Sequence, residues 1–247
     1  MTIGRHLDWA GCLNIRDLGG LPTGDGRTTR WRAVVRADNL DRLTPDGWAA
    51  LHAYGVRTVV DLREDDERST STERPAGIDV VHVPLDDSAD TDFWYRCIDD
   101  EIDGTPLYYR PFLDRKPERC VAAVAAVARA GPGVVVVHCG IGRDRTGLAS
   151  LLLLALVGVT PDAIVADYAL SGERLEPYFA EARAAHGDVI GDRLARRGTT
   201  VPESLHAVLA GLDAEARLRA AGLAAEDLQA LRARLAPVEA AAVSGGR

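Results

Sequence analysis

The chain has 247 residues, with 29 Lys and Arg against 37 Asp and Glu and a formal net charge of −8. Hydrophobic residues make up 47% and charged residues 27%, which excludes a disordered, collagenous or coiled-coil chain and fits a globular one. The acidic balance argues against a nucleic-acid partner, which needs a clustered basic face. A single domain over residues 1–247 is expected at this length. The longest largely apolar run, Leu148 to Val159, falls short of the roughly 20 residues of a spanning helix, and the N-terminus carries no signal pattern. No stable membrane insertion and a cytoplasmic location are therefore expected, with secretion by another route left open. Cys12, Cys97, Cys120 and Cys139 are scattered, so neither a disulfide framework nor a zinc site is expected and no metal or other cofactor is implied. Nothing in the sequence fixes the oligomeric state.

Along the chain, Pro22 to Gly26 ends in Asp-Gly, a hairpin signal, and the strand after it is expected to cover Trp31 to Arg36. Thr44-Pro45-Asp46 opens a helix, with Thr as cap and Pro at the first position, and Gly55 closes it. Strands follow at Val56 to Leu62 and Ile78 to Val83, then a helix over Glu118 to Ala130 and a buried strand over Val134 to His138. This alternation predicts an α/β fold, a mostly parallel sheet flanked by helices. Beyond residue 140 the pattern is helical. A central apolar helix spans Gly147 to Val157, and another starts at Thr160-Pro161-Asp162. Residues 200–236 read as a C-terminal helical extension with helices over Glu203 to Ala220 and Glu226 to Leu235, and 238–247 as a frayed tail. The acidic and aromatic segment 86–116 has no clear periodicity and reads equally as a lid or insertion and as a solvated face.

The stretch His138-Cys139-Gly140-Ile141-Gly142-Arg143-Asp144-Arg145-Thr146-Gly147 runs from the buried strand into the central helix. A Gly-rich strand-to-helix loop can turn several backbone N–H groups toward one point, where the helix N-terminus adds its positive dipole end. Such a loop is a phosphate cradle, formed here by Gly140, Ile141, Gly142, Arg143, Asp144 and Arg145. A cysteine at its mouth is favoured as a thiolate nucleophile. The Arg145 fork can hold two equatorial phosphoryl oxygens and stabilise transition-state charge. Thr146 offers a hydroxyl to the sulfur, and His138 orders the loop.

These ten residues resemble the H-C-x-x-G-x-x-R-[ST]-G signature of the cysteine-dependent protein tyrosine phosphatase superfamily, with all six specified positions matched. A chance match has odds on the order of one in 10⁵ to 10⁶. The blocks Asn14 to Gly20, Val35 to Leu40 and Val59 to Arg63 look like those of the bacterial tyrosine phosphatase group that includes secreted mycobacterial dual- and triple-specificity enzymes. That group commonly has Lys where this chain has Arg143. Within the blocks, Arg16 with Asp17 reads as an ion pair beside a tight turn rather than a substrate contact. Asp61 and Arg63 read equally as ligand-facing residues and as a supporting salt bridge.

The resemblance implies a phosphomonoester phosphatase with a phosphocysteine intermediate on Cys139, acting on phosphotyrosine protein or with dual specificity. The partner is then a phosphorylated protein or a small phosphomonoester. Such chemistry needs an acid for the leaving group, and no Trp-Pro-Asp tripeptide occurs. Asp86, directly after a strand, is the first choice, on a loop that could swing over the cradle; Asp144 is the rival and Asp87 the third. The alternatives are a phosphoinositide or small-metabolite phosphatase and a catalytically silent phosphate-binding module. Sulfur transfer or arsenate reduction fits less well.

Overall fold

The structure, a computed structural model, describes residues 4–69 and 74–236. One sheet is built from β1 (Arg16–Asp17), β2 (Val34–Ala37), β3 (Val56–Asp61), β4 (Asp79–His82) and β5 (Val134–His138), in the spatial order β1-β2-β5-β3-β4. Only the β1–β2 pair is antiparallel; β2, β5, β3 and β4 run parallel. The Val run of β5 is buried along its whole length because helices cover both faces of the strand. On one face Val135 and Val137 join the main core; on the other Val134 and Val136 meet Trp48 and Leu51 of α1 (Pro45–Tyr54). The expected cap is present: Thr44 accepts from the Gly47 N–H, and Gly55 closes the helix in the left-handed conformation.

The main core is covered by α4 (Pro117–Arg129), α5 (Asp144–Leu156) and α6 (Pro161–Arg174). The segment without clear periodicity contains α2 (Thr91–Asp99) and α3 (Tyr109–Arg115), joined through a 3-10 turn at Pro106–Tyr108. Its aromatic residues Phe93, Tyr108, Tyr109 and Phe112 are buried in the main core, so aromatic packing orders it where no helical period is legible. Next come α7 (Glu176–His186), α8 (Val189–Arg196), α9 (Val201–Leu209), α10 (Ala214–Ala220) and α11 (Ala225–Leu235). Leu218, Leu228, Leu231 and Leu235 of the last two share the main core with α4 and α5. Among the described residues no helix is long and apolar enough to cross a membrane.

Three local expectations are corrected. The strand expected over Trp31 to Arg36 lies at Val34–Ala37, and Trp31 and Arg32 form a turn. The helix expected over Glu203 to Ala220 is two helices. Gly211 at φ 66° ends the first, Arg110 caps the Val208 and Ala210 carbonyls, and Asp213 caps the next through the Ala216 N–H. Arg16 and Asp17 do not pair with each other, because neighbouring strand residues face opposite sides. Arg16 reaches Asp167 of α6, and Asp17 accepts from the N–H groups of Gly19 and Arg32 and from the Tyr54 hydroxyl. The tail 238–247 lies outside the described residues.

Candidate active site

The parallel strands point their C-terminal ends to one edge of the sheet, where open α/β sheets bind ligands. Residues Cys139 to Arg143 leave β5 there and lead into α5. The loop rests on β2: Gly142 has φ 67°, and a Cβ on it would lie 2.5 Å from the Ala37 carbonyl oxygen, so glycine is required by both conformation and space. From behind, Asn14 Nδ2 donates to the Ile141 carbonyl at 3.1 Å and to the Gly142 carbonyl at 3.0 Å. Arg36 Nη2 donates to the Gly142 carbonyl at 2.8 Å. The peptides are trans, so with these carbonyls drawn to the back, the N–H groups of Gly142 and Arg143 turn to the front. That is the geometry of an anion cradle.

Cys139, the first residue of the loop, is 1% exposed and belongs to the main core. His138, wholly buried, has Nδ1 3.3 Å from the Cys139 carbonyl oxygen and Nε2 3.5 Å from Asp61 Oδ1. Burial pulls its pKa down to about 4, against the nearby Asp61 charge, so the ring is neutral above that pH. Burial opposes the charge of Asp61 too, but the Arg63 hydrogen bonds win and bring its pKa to about 2. Arg63 binds it through Nε at 2.9 Å and Nη2 at 2.8 Å, and also reaches Asn39 and Asp41. Of the two readings of Asp61 and Arg63, the buried salt bridge is the one observed.

Arg145 is engaged by two carboxylates. Glu67 takes both terminal nitrogens, with Oε1 2.7 Å from Nη2, while Asp86 Oδ2 lies 3.3 Å from Nε. Burial opposes the Glu67 charge, but the Arg145 hydrogen bonds outweigh it and hold the group below its ordinary range. Asp86 behaves oppositely. Burial raises its pKa to about 7 despite Arg145, with Glu64, Glu67 and Asp144 adding like charge. Sequence reasoning missed Glu67. Its signal was modest: it lies in the turn Asp65–Glu67 on the loop that follows parallel strand β3, where its carboxylate accepts from the Glu64 N–H as in a capping box.

The Asp144 carboxylate meets Arg143 Nε at 3.1 Å and the Tyr168 hydroxyl at 3.4 Å. Arg143 spends its side chain on Asp144, on the Gly104 carbonyl at 3.1 Å and on the Phe179 ring, 5.3 Å from its centroid. It lines a cavity of about 460 Å³ with Pro106, Phe179 and Ile190, to which Glu67, Asp86 and Arg145 do not contribute. Thr146, expected to reach the sulfur, is buried with its hydroxyl unpaired. Gly147 admits the Tyr168 ring and the Tyr109 hydroxyl, which would lie 2.6 Å and 2.7 Å from an added Cβ. Asp87 binds Lys116 and Arg119 instead of the loop. All four cysteines are free; burial pushes the Cys97 and Cys120 thiols up to about 11 and 12 and raises that of Cys12 as well. Among the described residues no group of three or more His, Cys, Asp or Glu could hold a metal ion.

A buried cysteine that opens a strand-to-helix loop whose carbonyls are held from behind, with an arginine in the first turn of the following helix near enough to interact with it electrostatically, fits the class of cysteine-dependent phosphatases. Comparison with known sequences narrows the class: the chain belongs to the tyrosine phosphatase family, whose model matches residues 7–237. It is 31% identical over 220 residues to a tyrosine-protein phosphatase of Nostoc commune, covering 82% of this chain and 74% of that one. It is also 31% identical over 192 residues to the triple specificity protein phosphatase PtpB of Mycobacterium tuberculosis, covering 66% and 68% respectively. The crystal structure of P. aeruginosa TpbA is a distant likeness, with 20% identity, a TM-score of 0.36, and coverage of 77% of this chain and 86% of that one.

Proposed function

We propose that this phosphatase hydrolyses phosphotyrosine in protein through a phosphocysteine on Cys139, with Asp86 as the acid. The Cys139 sulfur attacks phosphorus as the bond to the leaving oxygen breaks, and the Asp86 carboxyl proton passes to that oxygen. Loop N–H groups and the Arg145 guanidinium hold the equatorial oxygens, whose negative charge dominates the transition state. Water then attacks the thiophosphate, giving its proton to the Asp86 carboxylate. The P–S bond breaks, and phosphate and the thiolate are released. The Thr146 hydroxyl, with no protein partner to lose, is available to the departing sulfur.

One observation carries the assignment of the acid: Asp86 meets Arg145 Nε at 3.3 Å, and desolvation of its half-buried carboxyl pushes its pKa up to about 7. The test is turnover of phosphotyrosine peptide, phosphoserine peptide, phosphoinositide and sugar phosphate, with and without EDTA, by the wild-type chain and Cys139→Ser. The expected result is EDTA-resistant activity highest on phosphotyrosine peptide and abolished in Cys139→Ser. Preference for phosphoinositide or sugar phosphate would move the substrate class, and activity in Cys139→Ser would overturn the mechanism.

A further inference from the structure

Behind the loop lies a buried polar cluster that the chemistry at Cys139 does not use. Asp167 of α6 accepts from Arg5 Nη1 at 2.6 Å, Arg16 Nε at 3.0 Å and Arg36 Nη1 at 2.8 Å. Arg16, Arg36 and Asp167 are no more than 2% exposed, and Asn14 is wholly buried. Arg16 also donates to Asn14 Oδ1 at 2.6 Å, to the Asp167 carbonyl at 2.7 Å and to Ser171 Oγ at 2.9 Å. With its oxygen taken by Arg16, Asn14 has only its amide nitrogen to turn toward the loop, where it meets the carbonyls of Ile141 and Gly142. Arg36 bridges Asp167 Oδ2 and the Gly142 carbonyl with its two terminal nitrogens.

Burying two guanidiniums, with a third half-buried, against one carboxylate is an expensive way to fill space, since apolar residues of similar volume are often at least as stabilising. Stability therefore does not explain the cluster, whereas its geometry does. Every hydrogen bond it sends to the loop ends on a carbonyl whose peptide partner N–H faces the opposite way, and the arginines outnumber the carboxylate beneath a site for an anion.

We propose that Asn14 and Arg36 are positioning residues of the phosphatase reaction: from behind, they fix the Ile141 and Gly142 peptides so that the cradle N–H groups converge on the phosphoryl oxygens before substrate arrives. The inference rests on the loop being the phosphate site. Preorganised donors hold a phosphoryl group without reorganising as its charge develops, so loss of either clamp weakens both oxyanion binding and turnover.

The experiment compares wild type with Asn14→Leu, which is close in size and has no donor, and Arg36→Lys, which can reach Asp167 or the Gly142 carbonyl but not both. Inhibition by orthophosphate, kcat, KM and melting temperature are measured for each. The expected result is orthophosphate inhibition weakened by about tenfold or more, with a comparable fall in kcat/KM, in proteins that still melt cooperatively. A purely structural role would lower the melting temperature and leave orthophosphate inhibition of the folded enzyme within about twofold of wild type, and that result overturns the proposal. Asn14→Ser, smaller and unable to overpack the site, keeps the comparison decisive if Asn14→Leu does not fold. Activity retained by Cys139→Ser, or no inhibition of wild type by orthophosphate, would instead sink the reading of the loop itself.

Discussion

Asp86 carries two consequences that can be measured separately. As the acid it must be protonated, so kcat/KM falls as pH rises through about 7, where its carboxyl ionises. Asp86→Asn is expected to lower kcat on alkyl phosphates by roughly 10²-fold, to affect activated aryl phosphates much less, and to remove the alkaline limb. Asp144→Asn, which loses contacts to Arg143 and Tyr168 rather than to Arg145, is expected to show no such dependence on leaving group. Stability shifts over the same pH range and in the same direction. Because burial raises the Asp86 pKa on folding, its contribution is full below the ordinary carboxyl value and is lost as pH climbs through about 7. Thermal melts should therefore show Asp86→Asn gaining on wild type between pH 5 and pH 8. A gap in melting temperature that stays constant over that range would count against a raised Asp86 pKa.

At the scale of elements, the loop that carries Asp86 is anchored along its length. Leu85 N–H donates to the Leu62 carbonyl, Trp94 Nε1 to the Asp86 carbonyl, and Asp87 N–H to Glu64. Lys116, 2% exposed, ties the loop to the start of α4 through Asp87 at 2.9 Å and Asp90 at 3.1 Å, and packs over the Phe93 ring. Removing the buried Lys116 charge leaves Asp87 with Arg119 and Asp90 with Arg115, each at the surface side of the cluster, and no cation joining the two carboxylates from within. Lys116→Met is thus expected to lower the melting temperature by on the order of 5 °C. It should also lower kcat on alkyl phosphates more than on activated aryl phosphates, because the acid loses its anchor. Equal loss on both substrates would show that Lys116 supports the fold alone. None of this anchoring is legible in the segment 86–116. Its carboxylates look alike in sequence, and only packing decides which of them meet cations.

Over the whole molecule, the C-terminal helices stabilise the sheet that bears the site. Leu231 of α11 is wholly buried in the core shared with α4 and α5, and Arg129 of α4 grips Asp227 through two hydrogen bonds. Leu231→Ala should cost about 2–5 kcal/mol in denaturant unfolding while kcat/KM of the folded enzyme stays near wild type. Two separate unfolding transitions, with only the second tracking loss of activity, would show that these helices melt independently of the sheet. Their existence was readable from amphipathic spacing. The interruption between α9 and α10 was missed because Gly211 and Asp213 are weak punctuation in an otherwise continuous helical pattern, and the Arg110 that caps the first helix comes from 98 residues away.

The sequence alone determined the strand, loop and helix that make the cradle, together with its sulfur and guanidinium, because ten consecutive residues hold all of them and glycine, charge and apolar pattern act locally. Tertiary structure decided which carboxylates flank that guanidinium. Glu67 and Asp86 reach Arg145 because the parallel register of β3, β4 and β5 brings their C-terminal ends to one edge, whereas Asp144, next to Arg145 in sequence, is drawn to Arg143 and Tyr168. The clamp behind the loop has the same origin: Asn14, Arg36 and Asp167 have no local pattern linking them and meet only because β1, β2 and α6 pack there. Contacts between elements depend on register and layer geometry, which no stretch of sequence encodes by itself.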